Sequence, residues 1–442
     1  MVKGKITKLS VSDVRFPTSL EQHGSDAMHT DPDYSVAYVV IETEGGLKGY
    51  GLTFTLGKGT EIVVCAVQAL SSLVIGKDSE EIVNDFRSFY RLLTSDGQMR
   101  WLGPEKGVVQ LAAAAVLNAV WDLWARAEGK PLWKLLVDMD PEKLISCIDF
   151  RYITDALTEK EALDILRKAR DGKCKREEHM LKEGYPAYTT SCAWIGYPDE
   201  QLKQLCSKAL SEGWTRFKVK VGADLSDDIR RCRLLREMIG PDKTLMIDAN
   251  QRWDVAEAIE WVSRLVEFKP LWIEEPTSPD DILGHAAIAK ALAPLGIGVA
   301  TGEQCHNRVM FKQLLQSQAL RFVQIDSCRL GSVNENLAVL LMAEKFQVPV
   351  CPHAGGVGLC ELVQHLILFD YIAVSGSLEN RMCEYVDHLH EHFTNPVVIK
   401  NASYMPPKNP GYSTEMKDDS AKRHQFPDGE VWRELRASRR VQ

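Results

Sequence analysis

From residue 185 onward, short apolar runs rich in β-formers alternate with amphipathic stretches long enough for one helix and its loops, and from the second run onward each gives way to a lysine, an acid or a histidine. The runs span 187–192, 216–221, 244–247, 270–273, 298–300, 322–325, 348–351, and 375–378 or slightly later. The strand-then-helix alternation demands a parallel sheet, and eight such units are what an α/β fold of the (β/α)8-type barrel requires. Lys220, Asp248, Glu274, Glu303, Asp326, His353 and Glu384 stand at or just beyond successive run ends, with gaps of 28, 26, 29, 23, 27 and 31 residues, about one strand–helix unit each. The carboxyl ends of barrel strands share one mouth, so the spacing predicts that these seven side chains converge there.

The first part of the chain follows another pattern. Residues 36–42 and 47–55 flank a turn containing Gly45 and Gly46, and residues 6–14 alternate like a strand, which together read as an antiparallel meander. Residues 104–136 are rich in Ala and Leu at helical spacing and are broken at Gly129 and Pro131. The expected organisation is an N-terminal α+β capping domain over 1–145, the barrel over 146–386, and a segment over 387–442 that returns to the cap. Residues 154–183 read as a charged surface helix inserted before the first barrel strand, with no chemical role.

A net charge of −8 and a pI near 5.8 argue against a broad phosphate-binding face, so no nucleic-acid partner is expected. Eleven scattered cysteines without a C-x-x-C pair suggest reduced intracellular thiols rather than a disulfide framework or thiolate zinc site. No apolar run is read as long enough to span a bilayer, which needs roughly 20 residues, and the first 20 residues lack the apolar stretch of a secretory signal. Lys3, Lys5, Lys8 and Arg15 fit either an organelle-targeting segment or a strand; the strand is the favoured reading, and mitochondrial and cytosolic locations both stay open.

In Phe217-Lys218-Val219-Lys220-Val221, alternation sends both lysines to one face, which in a parallel barrel points inward. Two buried ammonium groups disfavour each other's protonation, so Lys220 is expected to serve as a neutral base with Lys218 beside it at the substrate. Asp248, Glu274 and Glu303 would repel one another unless a hard cation neutralised them, and carboxylates on rigid strand ends suit Mg2+. Asp326 and His353 end adjacent strands and are expected to pair, the carboxylate fixing the imidazole tautomer and raising its pKa so that the ring can donate a proton to a departing hydroxyl. Glu384, crowded by other acids, is expected to be protonated and to donate to a developing oxyanion, and Asn250 to contact the substrate or support those that do. Glu275 reads as turned to the opposite face and structural. The Gly355-Gly356-Val357-Gly358 stretch lacks the spacing and the Lys-Ser/Thr of a phosphate-binding loop and reads as a tight turn.

This ordered set resembles the mandelate racemase branch of the enolase superfamily, whose members carry K-x-K, three acidic metal ligands and an Asp–His dyad on successive barrel strands. Within it the chain is similar to L-fuconate dehydratases in HTDPDYS at 29–35, YPAYTTSCAW at 185–194, DANQRWD at 248–254, TGEQCHNR at 301–308 and CPHAGGVGLCE at 351–361. The resemblance implies one Mg2+ per subunit and conversion of L-fuconate to 2-keto-3-deoxy-L-fuconate, with Lys220 taking the C2 proton and His353 assisting loss of the C3 hydroxyl. It further implies a lid at 23–34 that brings Gly24, Ser25, Asp26 and Tyr34 to a small-molecule sugar acid, and a homo-oligomer. On the same residues two other readings stand: a racemase or epimerase of an α-hydroxy acid, and a non-catalytic protein binding metal, sugar acid or RNA.

Overall fold

The computed structural model describes residues 3–439. Strands β1 (Ile6–Arg15), β2 (Ser35–Thr43) and β3 (Lys48–Thr55) form an antiparallel sheet in the order β1-β2-β3. The basic opening segment is thus part of the sheet: Val11 pairs with Val39, and Lys8 lies 3.6 Å from Glu42. The helix Gly107–Ala127 packs on this sheet at close range. A Cβ on Gly49 or Gly51 would overlap the carbonyl oxygens of Ala119 and Ala115, so only glycine lets the strand and the Ala-rich helix face meet.

That helix corrects one expectation from the sequence. At 21 residues it is long and apolar enough to cross a membrane by length and composition, yet 94% of its most apolar stretch is buried inside the protein. Its composition suits a core helix surrounded on all sides. Residues 154–183 form two helices, Glu159–Lys168 and Lys173–Glu183, rather than one. Seven of the ten tryptophans are buried and Trp101 alone is strongly exposed, so most of them serve core packing.

The barrel strands are β4 (Tyr185–Thr189), β5 (Arg216–Lys220), β6 (Thr244–Asp248), β7 (Trp272–Glu274), β8 (Gly298–Thr301) and β9 (Phe322–Val323), each parallel to the next. The register sets the chemistry, since Lys220 stands opposite Asp248 and Asp248 opposite Glu274. The seventh position is a brief parallel bridge, Val350 with Val323, continued by His353 N–H donating to the Ile325 carbonyl at 3.1 Å. The eighth strand, β10 (Cys383–Tyr385), lies later than residues 375–378, because Asp370–Ser375 extend the preceding helix as a π-helical turn. Glu384 N–H donates to the Pro352 carbonyl, and β10 pairs in parallel with β4, so hydrogen bonds run around the whole ring.

After β10 a hairpin of β11 (Ile399–Lys400) and β12 (Ser403–Tyr404) pairs with β4, and the chain then reaches the cap. Tyr412 N–H donates to Asp122 at 2.6 Å, Met416 N–H to the Tyr38 hydroxyl at 3.0 Å, and the Trp432 indole to the Arg15 carbonyl at 3.0 Å. These bonds fix the cap over the barrel mouth.

Candidate active site

At the carboxyl ends of the barrel strands, under the cap, lies a cavity of about 290 Å3 whose lining includes Lys220, Asn250, Glu303, Asp326, His353 and Glu384. Asp248, Glu274 and Glu303 each offer a carboxylate oxygen, and these oxygens lie within 4.8 Å of one another. Asp248 and Glu274 are fully buried, and Glu303 Oε2, also buried, has no hydrogen-bond partner. An all-oxygen set with one carboxylate oxygen that accepts no hydrogen bond, held on three rigid strand ends, fits a hard divalent cation. The electrostatics agree: burial, eased by Lys218 but compounded by the neighbouring acids, pushes Glu274 up to about 7, and burial raises Glu303 as well.

The two lysines point inward, as the alternation requires, but their protonation differs from the expectation. Lys218 Nζ lies 2.7 Å from Glu274, 2.9 Å from Glu384 and 3.2 Å from Asp248, while Lys220 Nζ lies 2.6 Å from Asp248 and 3.0 Å from Asn250 Oδ1. Burial pulls both pKa values down, but the surrounding carboxylates outweigh both burial and lysine–lysine repulsion, so both are held above the ordinary lysine value. Lys218 is also fully enclosed and does not line the cavity, so it braces the acids from beneath instead of touching a ligand.

Asp326 and His353 pair through Oδ2 and Nδ1 at 2.8 Å, which aims Nε2 at the cavity, where Glu303 and Glu384 lie 3.5 and 3.7 Å away. Asp326 is itself fixed through Oδ1 by the N–H groups of Cys328 and Arg329 at 2.7 and 2.8 Å. Burial lowers the His353 pKa, but Glu303, the Asp326 hydrogen bond and Glu384 together raise it to about 9. The ring is therefore a proton donor near neutrality. The Gly355 N–H, 3.2 Å from Nε2, would prefer the neutral ring, but one amide dipole is outweighed by three carboxylates.

Glu384 corrects a second protonation expectation. Burial alone would raise its pKa, but Lys218, His353 and Lys220 draw it down to about 2, and Ala354 N–H donates to it at 3.0 Å. It is an ionised acceptor, not a protonated donor. Asn250 takes a left-handed backbone at φ 47°, donates its N–H to Asp248 and presents Oδ1 to Lys220, linking the two side chains.

Of the four lid residues, Gly24, Asp26 and Tyr34 line the cavity. Ser25 does not: it is fully buried, its Oγ accepts from Gly196 N–H at 2.9 Å, and its carbonyl accepts from Ile195 N–H at 3.1 Å. It is the peg that holds the lid to the barrel, which its place in the sequence could not distinguish from a ligand contact. Gly24, at φ 79°, abuts the Tyr34 hydroxyl so closely that a Cβ would overlap it. His388 stacks on Tyr34 at 5.5 Å and meets His23 at 5.1 Å and Trp194 at 5.4 Å, forming an aromatic clasp around the lid base.

Two cavity residues escaped the sequence reading. Arg329 lines the cavity and donates through Nε to the Glu303 carbonyl at 3.2 Å; its position three residues beyond Asp326 was the available signal. Thr190 lines the cavity with an unpartnered buried hydroxyl just past β4, whose run carries no lysine, acid or histidine to mark it. Glu275, read as structural, does not line the cavity, and its backbone is left-handed at φ 44°. Its buried carboxyl accepts from Gln251 at 2.8 Å and is raised well above the carboxylate range by burial, Glu303 and Asp248.

A family model described as "Mandelate racemase / muconate lactonizing enzyme, N-terminal domain" matches residues 11–137, and one described as "Enolase C-terminal domain-like" matches residues 201–420. The crystal structure of human mitochondrial enolase superfamily member 1 superposes with a TM-score of 0.97 at 76% identity, covering 98% of this chain and 99% of that one. The chain belongs to the enolase superfamily. Among curated proteins it is also similar to the L-galactonate dehydratase of Hypocrea jecorina, 53% identical over 425 residues that cover 96% of this chain and 94% of that one. A racemase from Streptomyces coelicolor A3(2), crystallised with bound magnesium, superposes with a TM-score of 0.75 at 26% identity, covering 95% of this chain and all of that one. Members of the superfamily are enzymes, and the capping-domain-plus-barrel fold is theirs.

Proposed function

We propose that this enolase-superfamily chain is a Mg2+-dependent sugar-acid dehydratase that converts L-fuconate to 2-keto-3-deoxy-L-fuconate and water. The single observation that carries the reading is one cavity lined by an amine, Lys220, an imidazole held as a donor by Asp326, His353, and a carboxylate of the three-acid cluster, Glu303. A base and an acid at one cavity are what removal of a C2 proton with departure of the C3 hydroxyl needs. L-Fuconate is L-galactonate without its C6 hydroxyl, so the 53% identical L-galactonate dehydratase differs from the proposed activity by one substituent.

Asp248, Glu274 and Glu303 would hold the ion. A bound Mg2+ would neutralise the carboxylates that otherwise keep the lysines protonated, and would polarise the substrate carboxylate so that the neighbouring C–H becomes acidic. Lys220 then takes the C2 proton, guided by Asn250. His353 gives its Nε2 proton to the C3 hydroxyl, which leaves as water, and the resulting enol tautomerises to the keto acid. The lid over Gly24, Asp26 and Tyr34, pegged by Ser25, excludes bulk water during the reaction. In this assignment residues 1–145 close the mouth, 146–386 carry the chemistry, and 387–442 tie the two together.

The test is incubation of purified protein with Mg2+ and a sugar-acid panel, read by 2-keto acid formation and by solvent deuterium at C2. Keto acid from L-fuconate supports the dehydratase. Deuterium exchange without any keto acid replaces it by an epimerase, the reaction that Lys220 and His353 would perform from opposite faces.

A further inference from the structure

The turn that carries Glu303 is clamped at both ends. Where it leaves β8, a Cβ on Gly302 would lie 2.1 Å from the Gln324 carbonyl oxygen, so only glycine passes there. Where it enters the helix Arg308–Gln316, three consecutive side chains, His306, Asn307 and Arg308, reach out of the barrel and bond to the cap. None of the three lines the cavity, and none has a part in the chemistry proposed above.

The N-cap Lys106 of the helix Gly107–Ala127 makes no side-chain cap, and His306 Nδ1 accepts the Gly107 N–H at 3.1 Å in its place. Asn307 serves both sides: its Oδ1 caps its own helix by accepting from Val309 and Met310 N–H at 3.0 and 3.2 Å, and its Nδ2 donates to the Glu105 carbonyl at 2.8 Å. Arg308 bridges Glu105 at 2.6 Å and Glu335 at 3.0 Å, and Glu335 in turn accepts from Gln110 of the cap at 2.8 Å. Glu105 meets these bonds with a left-handed backbone at φ 57°, which a non-glycine residue keeps only where its surroundings impose it.

Only Glu303, Gln304 and Cys305 lie between Gly302 and His306, so a shift of the cap at residues 105–107 passes to Glu303 with little slack. Glu303 is also the acid that most needs such support. Asp248 and Glu274 are held by Lys218 and Lys220, whereas Glu303 Oε2 accepts no hydrogen bond, and its placement is left to its backbone, through the Arg329 bond to its carbonyl and the turn that follows.

We infer that His306, Asn307 and Arg308 are positioning residues of the cation site, and that the cap, docked through them, sets where Glu303 presents its carboxylate. The inference rests on the three-acid cation site and not on the identity of the substrate. Loss of a bond that orients a metal ligand costs about 10- to 100-fold in metal affinity, so loosening this clamp weakens cation binding although no ligand is touched.

The experiment is Mn2+ titration of the full chain, without substrate, by electron paramagnetic resonance, with the thermal midpoint of each variant read by calorimetry. His306→Ala removes the acceptor of the Gly107 N–H, while His306→Asn presents Oδ1 where Nδ1 stood. Asn307→Ser still caps the helix Arg308–Gln316 but is too short to reach the Glu105 carbonyl. Both positions are partly exposed, so these variants are expected to fold; Arg308, buried among Glu105, Asp149 and Glu335, is left intact. Tyr38→Phe loosens the cap elsewhere, at the Met416 N–H, without touching residues 303–308. The Mn2+ Kd is expected to rise about tenfold in His306→Ala and in Asn307→Ser and to stay at the parent value in His306→Asn and Tyr38→Phe. A Kd within about twofold of the parent in His306→Ala and Asn307→Ser, or an equal rise in Tyr38→Phe, overturns the inference and leaves the cation site standing. A parent chain that binds no Mn2+ overturns the cation site and the inference together.

Discussion

Replacing Asp326 by Asn separates the roles assigned to His353 and Lys220. Asn is isosteric, and its Oδ1 can still accept from Cys328 and Arg329 N–H, so the turn that positions the side chain survives. What changes is the 2.8 Å contact with His353 Nδ1. The carboxylate there selects the tautomer with hydrogen on Nδ1 and helps hold the ring charged; an amide can present its NH2 instead, turning the ring into the wrong tautomer and removing one of the three groups that raise its pKa to about 9. General acid catalysis contributes about 10² to 10⁴ in rate, so kcat for dehydration should fall by that factor, about 3–5 kcal/mol of barrier. KM should hardly move. Because Lys220 is untouched, deuterium from solvent should still enter L-fuconate at C2, uncoupled from loss of the C3 hydroxyl. The assay is parallel: keto acid against time, and NMR of recovered substrate in D2O. Dehydration within a few-fold of the parent, or exchange and dehydration lost together, refutes the division of labour between the two residues.

Three further outcomes follow from the same geometry. Ser25→Ala leaves the buried Gly196 N–H without its acceptor, worth about 1–3 kcal/mol, so the lid should loosen and KM rise with little change in the thermal midpoint of the whole chain, as read by calorimetry and steady-state kinetics. Lys220→Ala should abolish both dehydration and C2 exchange while Mg2+ binding persists; retained exchange would remove Lys220 from the base role. His390 is raised to about 9 because the buried Glu361 at 2.6 Å outweighs the burial that would lower it. Its stabilisation, up to about 3 kcal/mol, is full below the unfolded histidine value near 6.5 and is lost as pH rises through about 9, so the loss of stability across that window, which His353 shares, should shrink by that amount in His390→Gln when unfolding is followed by denaturant titration.

The parts of this account that were legible in the sequence are those fixed by strand periodicity. Alternation and strand-end position are local properties, and they brought Lys220, Asp248, Glu274, Glu303, Asp326 and His353 to one mouth in the structure. The protonation states were not legible, because the charge on Lys218, Lys220 and Glu384 depends on neighbours from other strands: two lysines looked self-repelling until three carboxylates were found within 3.2 Å of Lys218. Ser25 illustrates a second limit, since a loop serine serves equally as ligand contact or anchor until its partner, 171 residues away, is known. The eighth strand was located only loosely because residues 375–378, Ser-Gly-Ser-Leu, carry little strand signal, and the strand forms at Cys383–Tyr385. Helix Gly107–Ala127 shows the converse, a membrane-like composition explained by complete enclosure between sheet and barrel.

Cation binding by the three carboxylates underlies every other step. Titration of the purified chain with Mn2+, a paramagnetic stand-in for Mg2+, followed by electron paramagnetic resonance and by competition with Mg2+, measures it without reference to activity. One saturable, Mg2+-displaceable ion per chain, lost in Glu303→Gln and in Asp248→Asn but kept in His353→Asn, is the result expected. Binding that survives removal of Glu303 and Asp248, or none in the parent chain, contradicts the assignment.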